Sequence, residues 1–256
     1  MEEMHAKKLA VVIPVYNEEY SIRRTLQGLC DQERPPKDTH FFIVDNGSTD
    51  KTREVIDRFM AKHKDFPLTV VTEAQKGTGA AADTGFRYAI EQGYPVIART
   101  DGDAVPLPNW TSIIYDNFYN QEAPRLLGGG TLALHDKYYR PTDAWVVPLV
   151  NWATRPILAL QHRNLNHIRT AHGYNMATTA ETYLAVGGFP RSSISELDED
   201  IVYAVKVADT FGKDSIRLDW NLKVQTSARR TRQYGSIKTA LYYLFPSRRR
   251  GDVDVR

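Results

Sequence analysis

The chain contains almost no cysteine: Cys30 is the single thiol among 256 residues. One cysteine cannot close an internal disulfide, and it cannot supply a zinc site built on several thiolates. The class of disulfide-rich secreted domains is therefore excluded, and we expect a reducing compartment.

The sequence also lacks a long apolar run. A membrane-spanning helix needs about 20 apolar residues, and the best candidate, residues 145–160, is interrupted by Asn151, Thr154, Arg155 and two prolines. We interpret residues 145–166 as a kinked helix that is buried or lies at an interface. The acidic start of the chain shows no targeting signal, so we expect a cytoplasmic protein.

Neither sign of charge is in clear excess, because 33 Lys and Arg residues face 31 Asp and Glu residues, a net charge of +2. The charge is unevenly distributed, however: residues 228–256 carry +6 and residues 1–227 carry −4. A basic tail favours an anionic partner such as a phosphate group or a membrane surface, and the alternative is a solvated chain end. A peripheral membrane contact would involve Arg248, Arg249 and Arg250. We expect no nucleic acid among the partners.

Apolar positions in the first half alternate between strand and helix periods. Short β-branched runs predict strands, and apolar residues three or four positions apart predict helices. The repeated strand–helix order predicts a parallel sheet with helices on both faces, which is typical of the α/β class. The predicted strands are 9–15, 40–44, 68–72 and 95–99, and the predicted helices are 17–32, 50–63 and 78–92.

The second half of the chain is less regular. We find no internal repeat and no Gly/Ser-rich linker between the halves, so we expect one continuous domain. Helices are predicted at 110–120 and 145–166, and one helix is predicted within each of 175–186 and 195–211. A strand pair or loop is predicted at 126–134, and short strands at 216–218 and 223–226.

Carboxylates follow three of the predicted strands. Glu18 comes after the first, Asp45 ends the second, and Asp101 and Asp103 follow the fourth. Ligands bind at the carboxyl ends of such strands, so these side chains predict a shared site. The two carboxylates on either side of Gly102 can face one cation, and hard oxygen ligands suit Mg²⁺ or Mn²⁺. The alternative is that this acidic pair only caps a turn.

Three further features suggest polar chemistry. The acidic cluster from Glu196 to Asp200 suits a general base, because crowded carboxylates raise one another's pKa; the alternative is that it complements a helix dipole. Gly77 and small residues after it let an anionic ligand approach a helix N-terminus. His172 is either a pocket residue or a loop histidine with a satisfied hydrogen bond. The absence of a Walker loop and of a dinucleotide fingerprint disfavours kinase-type ATP sites and NAD.

Six strings resemble the family-2 glycosyltransferases, and they follow one another in the order expected. They are VVIPVYNEE at 11–19, VDNGSTDKT at 44–52, KGTGAAADTGFRYA at 76–89, TDGDAVP at 100–106, GYNMATTAETYLAVGGFP at 173–190 and ELDEDIVYAVKV at 196–207. The resemblance implies the GT-A fold, an α/β architecture with a Rossmann-like, mainly parallel sheet flanked by helices and a smaller mixed sheet on the acceptor side. It implies one domain, with a nucleotide-sugar-binding half at 1–105, an acceptor-binding half at 106–227 and a basic tail at 228–256.

The resemblance also implies roles for the matching residues. Asp200 would be the general base, with Glu199 beside it, and Asp103 would ligate a divalent metal together with Asp101. Residues implied in the sugar or acceptor pocket are His172, Gly173, Asn175 and Asp198. Residues implied in nucleotide-sugar binding are Pro14, Tyr16, Glu18, Asp45 (toward the base, usually uracil), Gly77, Asp83, Asp101, Gly102 and the basic residues Arg229 and Arg230.

The chain departs from the family pattern at Ala82 and Asp83, which stand where many members have Arg and Asn near the pyrophosphate. No Q-x-x-R-W string occurs, so a processive synthase is not expected. The resemblance therefore implies an inverting, metal-dependent, non-processive hexosyltransferase that uses a nucleoside diphosphate sugar, with a UDP-sugar favoured, and an acceptor hydroxyl. One alternative is a nucleotidyltransferase, although the expected Gly-rich basic loop after the first strand is missing. The other is a non-catalytic sugar-nucleotide-binding protein, although Asp101, Asp103 and Asp200 are retained.

Overall fold

The computed structural model of the chain describes residues 8–33, 38–142, 144–145, 171–191, 199–227 and 229. Residues 146–166 of the helix predicted at 145–166, and the basic tail from 230 onward, lie outside the described residues. The strands are β1 Leu9–Val15, β2 Thr39–Asp45, β3 Leu68–Thr72, β4 Val96–Arg99, β5 Ala104–Pro106, β6 Leu126–Ala133, β7 Met176–Thr179 and β8 Ile216–Thr226; the helices are α1 Ile22–Cys30, α2 Thr52–Lys62, α3 Thr78–Glu91, α4 Trp110–Tyr119, α5 Ala180–Ala185 and α6 Glu199–Phe211.

The eight strands form one sheet in the order β3-β2-β1-β4-β7-β6-β8-β5. Strands β1 to β4 pair in parallel, β7 runs antiparallel between β4 and β6, and β6 and β8 are parallel to each other. The carboxyl ends of β1, β2, β4, β6 and β8 therefore open on the same edge of the sheet. The α/β class is confirmed, and the mixed acceptor-side strands continue the parallel sheet.

Strand β1 shows why the first half is so regular. All seven of its residues are buried. Leu9, Val11 and Ile13 belong to the core on one face of the sheet, while Ala10 and Val12 belong to the core on the other. A strand covered on both faces needs apolar residues at every position rather than at alternate ones, which explains the uninterrupted run.

The first predicted helix begins later than its apolar spacing indicates. Residues 16–20 form a loop, and α1 starts only at Ile22. Asn17 adopts a φ of 56°, a left-handed conformation that ends the strand. Its Oδ1 accepts a hydrogen bond from the Thr49 N–H at 2.8 Å, which ties the loop after β1 to the loop after β2.

The second half contains one strand that was not predicted and one strand that was predicted as two. The helix expected within 175–186 is present as α5, and Met176–Thr179 before it pairs with β4 as strand β7. Helix α5 follows at once, since Thr179 Oγ1 accepts a hydrogen bond from the Thr182 N–H at 3.1 Å. The two short strands predicted at 216–218 and 223–226 form one strand, β8. Among the described residues, no helix is long and apolar enough to cross a membrane.

Candidate functional site

The turn after β4 and the loop after β1 meet at the carboxyl edge of the sheet. Thr25 Oγ1 of α1 donates a hydrogen bond to the carbonyl oxygen of Gly102 at 2.9 Å. No side chain fits at Gly102, because its Cβ would lie 2.8 Å from Val15 Cγ1. This close approach brings Asp103 near Glu18, so that two of the predicted edge carboxylates are neighbours.

Arg229 joins these two carboxylates into one group, which we name the Glu18 cluster (Glu18, Asp103 and Arg229). Arg229 Nη2 lies 3.4 Å from Glu18 Oε1 and 3.7 Å from Asp103 Oδ2. Burial and the charge of Asp103 raise the pKa of Glu18 to about 7, against the opposing effects of a hydrogen bond from Ser21 and the charge of Arg229. The charged form of Glu18 is therefore disfavoured, mainly by burial, in spite of the neighbouring guanidinium.

A second charged group lies where β4 ends, and we name it the Arg99 cluster (Arg99, Asp101, Glu199 and Asp200). Arg99 is only 1 % exposed, and its Nη2 lies 3.1 Å from Asp101 Oδ1 and 2.9 Å from Glu199 Oε1. Burial alone would lower the pKa of Arg99, but the charges of Asp101, Glu199 and Asp200 outweigh burial and raise that pKa above its ordinary value. The guanidinium is a permanent cation that joins the turn after β4 to the start of α6.

Asp200 is oriented by backbone groups on both of its oxygens. The Gly173 N–H donates to Oδ2 and the Ile201 N–H donates to Oδ1, each at 2.8 Å. Residue 173 has no room for a side chain, because a Cβ there would lie 2.8 Å from Arg99 Cζ. Gly173 and Asp200, two of the predicted site residues, are thus hydrogen-bonded to each other next to the Arg99 guanidinium.

The loops after β2 and β3 are joined through Asn46, which was not among the predicted site residues. Asn46 Nδ2 donates to the carbonyl oxygens of Glu73 and Gln75 at 3.0 and 2.7 Å, and its Oδ1 accepts from the Gly77 N–H at 2.8 Å. Gly77 has a φ of 140°, which favours glycine, and α3 begins at the next residue. The signal that could have singled out Asn46 is an amide side chain directly after a buried strand.

Asp45 and Tyr16 border the same loops. Asp45 Oδ1 accepts hydrogen bonds from the Ser48 N–H at 2.9 Å and from Ser48 Oγ at 2.7 Å. Lys76, which was not among the predicted site residues, donates from Nζ to the Asn46 carbonyl at 2.9 Å. The same ammonium lies 4.1 Å from the centroid of the Tyr16 ring. Polar and aromatic groups therefore surround the carboxyl ends of β1 and β2.

Asp83 belongs to a buried ion-pair network. It is 1 % exposed, and its Oδ2 lies 3.0 Å from Arg87 Nε and 3.2 Å from Arg191 Nη1. The Tyr183 hydroxyl donates to its Oδ1 at 2.8 Å. Arg191, another residue that sequence reasoning missed, also pairs with Glu73 at 2.7 Å. A contact between Asp83 and a donor stays a prediction.

Asn175 lies in the core, where three elements meet. Its Nδ2 donates to the carbonyl oxygens of Gly130 and Leu222, both at 2.9 Å, and its Oδ1 accepts from Trp110 Nε1 at 2.8 Å. These bonds connect β6, β8 and α4. The amide is thus engaged within the fold, and a direct role in a sugar pocket stays a prediction.

The remaining predicted residues are placed as follows. His172 stacks on Tyr174, with 5.2 Å between ring centroids, and Pro14 is buried in β1. Asp198 and Arg230 lie outside the described residues, so their predicted roles stay predictions.

Residues 10–177 match the sequence profile of Glycosyl transferase family 2. This match covers more than half of the chain, and the protein therefore belongs to that family. AglE, a glycosyltransferase from Haloferax volcanii, is 35% identical over 103 residues, which make up 40% of this chain and 32% of that protein. Polyprenol monophosphomannose synthase from Mycolicibacterium smegmatis is 28% identical over 110 residues, or 43% of this chain and 40% of that protein. The matched part spans less than half of either relative.

Solved structures confirm the GT-A fold expected from the sequence. A mannosyltransferase from Pyrobaculum calidifontis in complex with GDP-Man and Mn²⁺ has a TM-score of 0.65 at 20% identity, covering 96% of this chain and 65% of that one. Glucosyl-3-phosphoglycerate synthase from Mycobacterium tuberculosis in complex with Mn²⁺, UDP and phosphoglyceric acid has a TM-score of 0.61 at 18% identity. This match covers 93% of this chain and 79% of that one. At these identities the likeness concerns the fold.

Proposed function

We propose that the protein is an inverting, metal-dependent, non-processive glycosyltransferase. It transfers a sugar from a nucleoside diphosphate sugar, with a UDP-sugar as the favoured donor, to a hydroxyl group of an acceptor. Residues 1–105 bind the donor, and residues 106–227 provide the acceptor side. Family membership supports the reaction class, and solved relatives with bound UDP or GDP-Man support the donor class.

One observation carries the proposal: an oriented carboxylate and a site for negative charge are tied together at one edge of the sheet. Asp200 is held by two backbone N–H groups. Arg99 connects the start of its helix to the turn that carries Asp101 and Asp103. Inverting transfer needs these two functions, a base for the nucleophile and stabilisation of a leaving diphosphate.

The chain's own residues then account for the proton and the leaving group. Asp200 accepts the proton of the acceptor hydroxyl as that oxygen forms a bond to the anomeric carbon. The bond from that carbon to the diphosphate oxygen breaks, and the nucleoside diphosphate leaves with the electron pair. Attack opposite the leaving group inverts the configuration. Arg229, with Arg230 as a predicted neighbour, stabilises the charge that develops on the diphosphate.

A divalent cation fits the carboxylates of the turn after β4. The side chains of Asp101 and Asp103 are 31% and 33% exposed, so their hard oxygen atoms can reach a ligand. Among the described residues, no group of three or more His, Cys, Asp or Glu side chains could hold a metal. Asp103 and Asp101 would therefore share Mg²⁺ or Mn²⁺ with donor phosphates and water. When bound, such an ion supplies positive charge to the leaving diphosphate.

The preference for uracil rests on Asp45. Its carboxylate lies at the carboxyl end of β2, where Ser48 fixes one oxygen by two hydrogen bonds. A carboxylate accepts hydrogen bonds only, and it matches the N–H that uracil presents between its two carbonyl groups. Tyr16 and Lys76 border the same loops and suit a flat base.

The test is release of UDP from a panel of UDP-sugars with Mn²⁺ and a mixture of hydroxyl acceptors. We expect UDP release above the rate without enzyme, and we expect chelation of Mn²⁺ to stop it. Saturable nucleotide binding without turnover toward any acceptor would favour a binding protein instead. Release of pyrophosphate from UTP and a sugar phosphate would favour a nucleotidyltransferase.

A further inference from the structure

Arg99 is a fully buried arginine at the end of a core strand. It is 1 % exposed, whereas arginine is almost never fully buried unless it is paired. Its partners, Asp101 and Glu199, lie on different elements, and Glu199 is 100 residues away in the chain. A side chain in this position costs free energy to desolvate, so its placement needs a reason beyond filling space.

The geometry of the guanidinium connects two parts of the site. Nε and Nη2 both donate to Asp101 Oδ1, at 3.2 and 3.1 Å, and Nη2 also donates to Glu199 Oε1 at 2.9 Å. Asp101 belongs to the turn that carries Asp103, and Glu199 is the first residue of α6. The planar group therefore spans the gap between the metal-site turn and the helix of the base.

A third contact reaches Asp200 through the backbone. A Cβ atom at Gly173 would lie 2.8 Å from Arg99 Cζ, so the backbone of Gly173 rests directly on the guanidinium. That same residue donates its N–H to Asp200 Oδ2 at 2.8 Å. Arg99 thus supports Asp200 in two ways. It packs against Gly173, whose N–H orients the Asp200 carboxylate, and it pairs with Glu199, which precedes Asp200 in the chain.

We infer that Arg99 is a positioning residue that fixes the base Asp200 relative to the turn of Asp101 and Asp103. The inference deepens the proposed function and rests on it, since it concerns the same site. In this role Arg99 does not contact the substrates. It keeps the distance between Asp200 and the turn of Asp101 and Asp103 fixed. A shift of about 1 Å in such a site can lower the rate roughly 10²-fold.

Arginine is suited to this role in a way that lysine is not. Its fork offers several N–H groups in one plane, while a lysine ammonium is a single point of charge on a flexible chain. In Arg99→Lys the positive charge stays, but one ammonium cannot reach Asp101, Glu199 and the Gly173 backbone together. We expect kcat to fall roughly 10²-fold, with the donor dissociation constant changed by less than about fivefold.

The test compares Arg99→Lys with a matched control, Arg125→Lys. Arg125 is also paired with a carboxylate, Glu181 at 3.0 Å, but it lies at the opposite edge of the sheet. The readouts are kcat, the donor dissociation constant and hydrogen exchange of individual backbone amides. In Arg99→Lys we expect the Gly173 amide to exchange at least about 10-fold faster while amides of β1 keep their rates, as expected for a local opening. The control should leave kcat and the Gly173 amide unchanged.

A double variant covers the case in which Arg99→Lys does not fold. Arg99→Met with Glu199→Gln removes the buried cation together with its more buried carboxylate partner, so that of the two partners only the partly exposed Asp101 loses its ion pair. We expect the same loss of kcat and the same faster exchange at Gly173.

The inference is overturned if kcat of the variant stays within twofold of wild type, if the loss lies entirely in donor binding, or if the Gly173 amide keeps its protection. These outcomes differ from failure of the proposed function. A wild-type protein without transfer activity would refute the function, whereas the amide exchange decides the role of Arg99 without any turnover.

Discussion

The Arg99 cluster and the Glu18 cluster lie at the same edge of the sheet, but their ion pairs differ in length and in burial. In the first, the buried guanidinium contacts Asp101 and Glu199 at 3.1 and 2.9 Å. In the second, Arg229 lies 3.4 and 3.7 Å from its two carboxylates, and the pKa of Glu18 is raised to about 7. The first cluster is therefore tied together by short contacts to a buried cation, whereas the second is held by longer contacts around a carboxyl group whose charged form is disfavoured.

This difference shows how one site can combine preorganisation with an open position for a ligand. A base must be oriented before the reaction, because orienting it during the reaction would add to the barrier. A cation and a diphosphate arrive with the donor, so the residues that meet them exchange contacts when the donor binds. We therefore expect variants of the Arg99 cluster to affect turnover and variants of the Glu18 cluster to affect binding.

The largest effect is expected for Asp200→Asn. The amide cannot accept the acceptor's proton, so kcat should fall about 10³-fold, as for loss of a general base. The donor should still bind, because in the proposed site its diphosphate and metal contact Asp101, Asp103 and Arg229 and not residue 200. Initial rates of UDP release and calorimetric titration with UDP and Mn²⁺ measure the two quantities.

Asp209→Asn is the matched control for that variant. Asp209 is exposed on the same helix, and its neutralisation should leave kcat and the affinity for UDP unchanged. If Asp200→Asn instead weakened UDP binding and left kcat unchanged, Asp200 would contact the donor. The proposed difference between the two clusters would then be wrong.

The second effect is expected for Asp103→Asn, which removes a carboxylate from the Glu18 cluster. The apparent affinity for Mn²⁺ should fall on the order of 10²-fold, since a bound cation contributes several kcal/mol of charge stabilisation. In a Mn²⁺ titration of the rate, the midpoint should move to higher Mn²⁺ concentration. The rate itself should partly recover at high Mn²⁺. An unchanged titration curve would remove the metal from this cluster, and Asp65→Asn, in an exposed loop, is the control.

The parallel half of the fold could be predicted because its local and global signals agree. Strand β1 is apolar at every position, since both of its faces are covered. Asp45, Asp101 and Asp103 could be assigned to one edge for the same reason, because the carboxyl ends of parallel strands coincide. In the second half, the strand Met176–Thr179 was not predicted, because it is only four residues long and is defined by its antiparallel pairing with the distant strand β4.

The contacts that organise the site could not be predicted, since they join residues distant in sequence. Arg99 carries a charge in a strand that is otherwise apolar, and its partner Glu199 is 100 residues away. Asn46 has the composition of a turn residue, yet it joins two loops from a buried position. A single sequence gives the type of these side chains but not the partner each one finds.

The third effect is expected for Arg229→Gln. The variant keeps a polar side chain of similar length but removes the only described cation of the Glu18 cluster. The donor KM should rise about 10-fold, because hydrogen bonds to charged groups contribute roughly 1.5–3 kcal/mol, and kcat should also fall, because the charge that develops on the diphosphate loses a stabilising cation. Steady-state kinetics at several donor concentrations would measure this, and Arg53→Gln, in an exposed pair on α2, is the control. A loss confined to kcat would move Arg229 from donor binding to the chemical step.

The smallest effect is expected for Lys76→Met, which tests how the open side of the site is held when no ligand is bound. Lys76 Nζ donates to the carbonyl oxygens of Asn46 and Gly47 at 2.9 and 2.8 Å and lies over the Tyr16 ring. Because water can replace these partly exposed bonds, the free energy of unfolding should fall by only about 1 kcal/mol. Urea denaturation measures this change, with Lys62→Met at the end of α2 as the control. A loss several times larger would mean that the loops after β1 and β2 are held as rigidly as the Arg99 cluster. The two sides of the site would then not differ in rigidity.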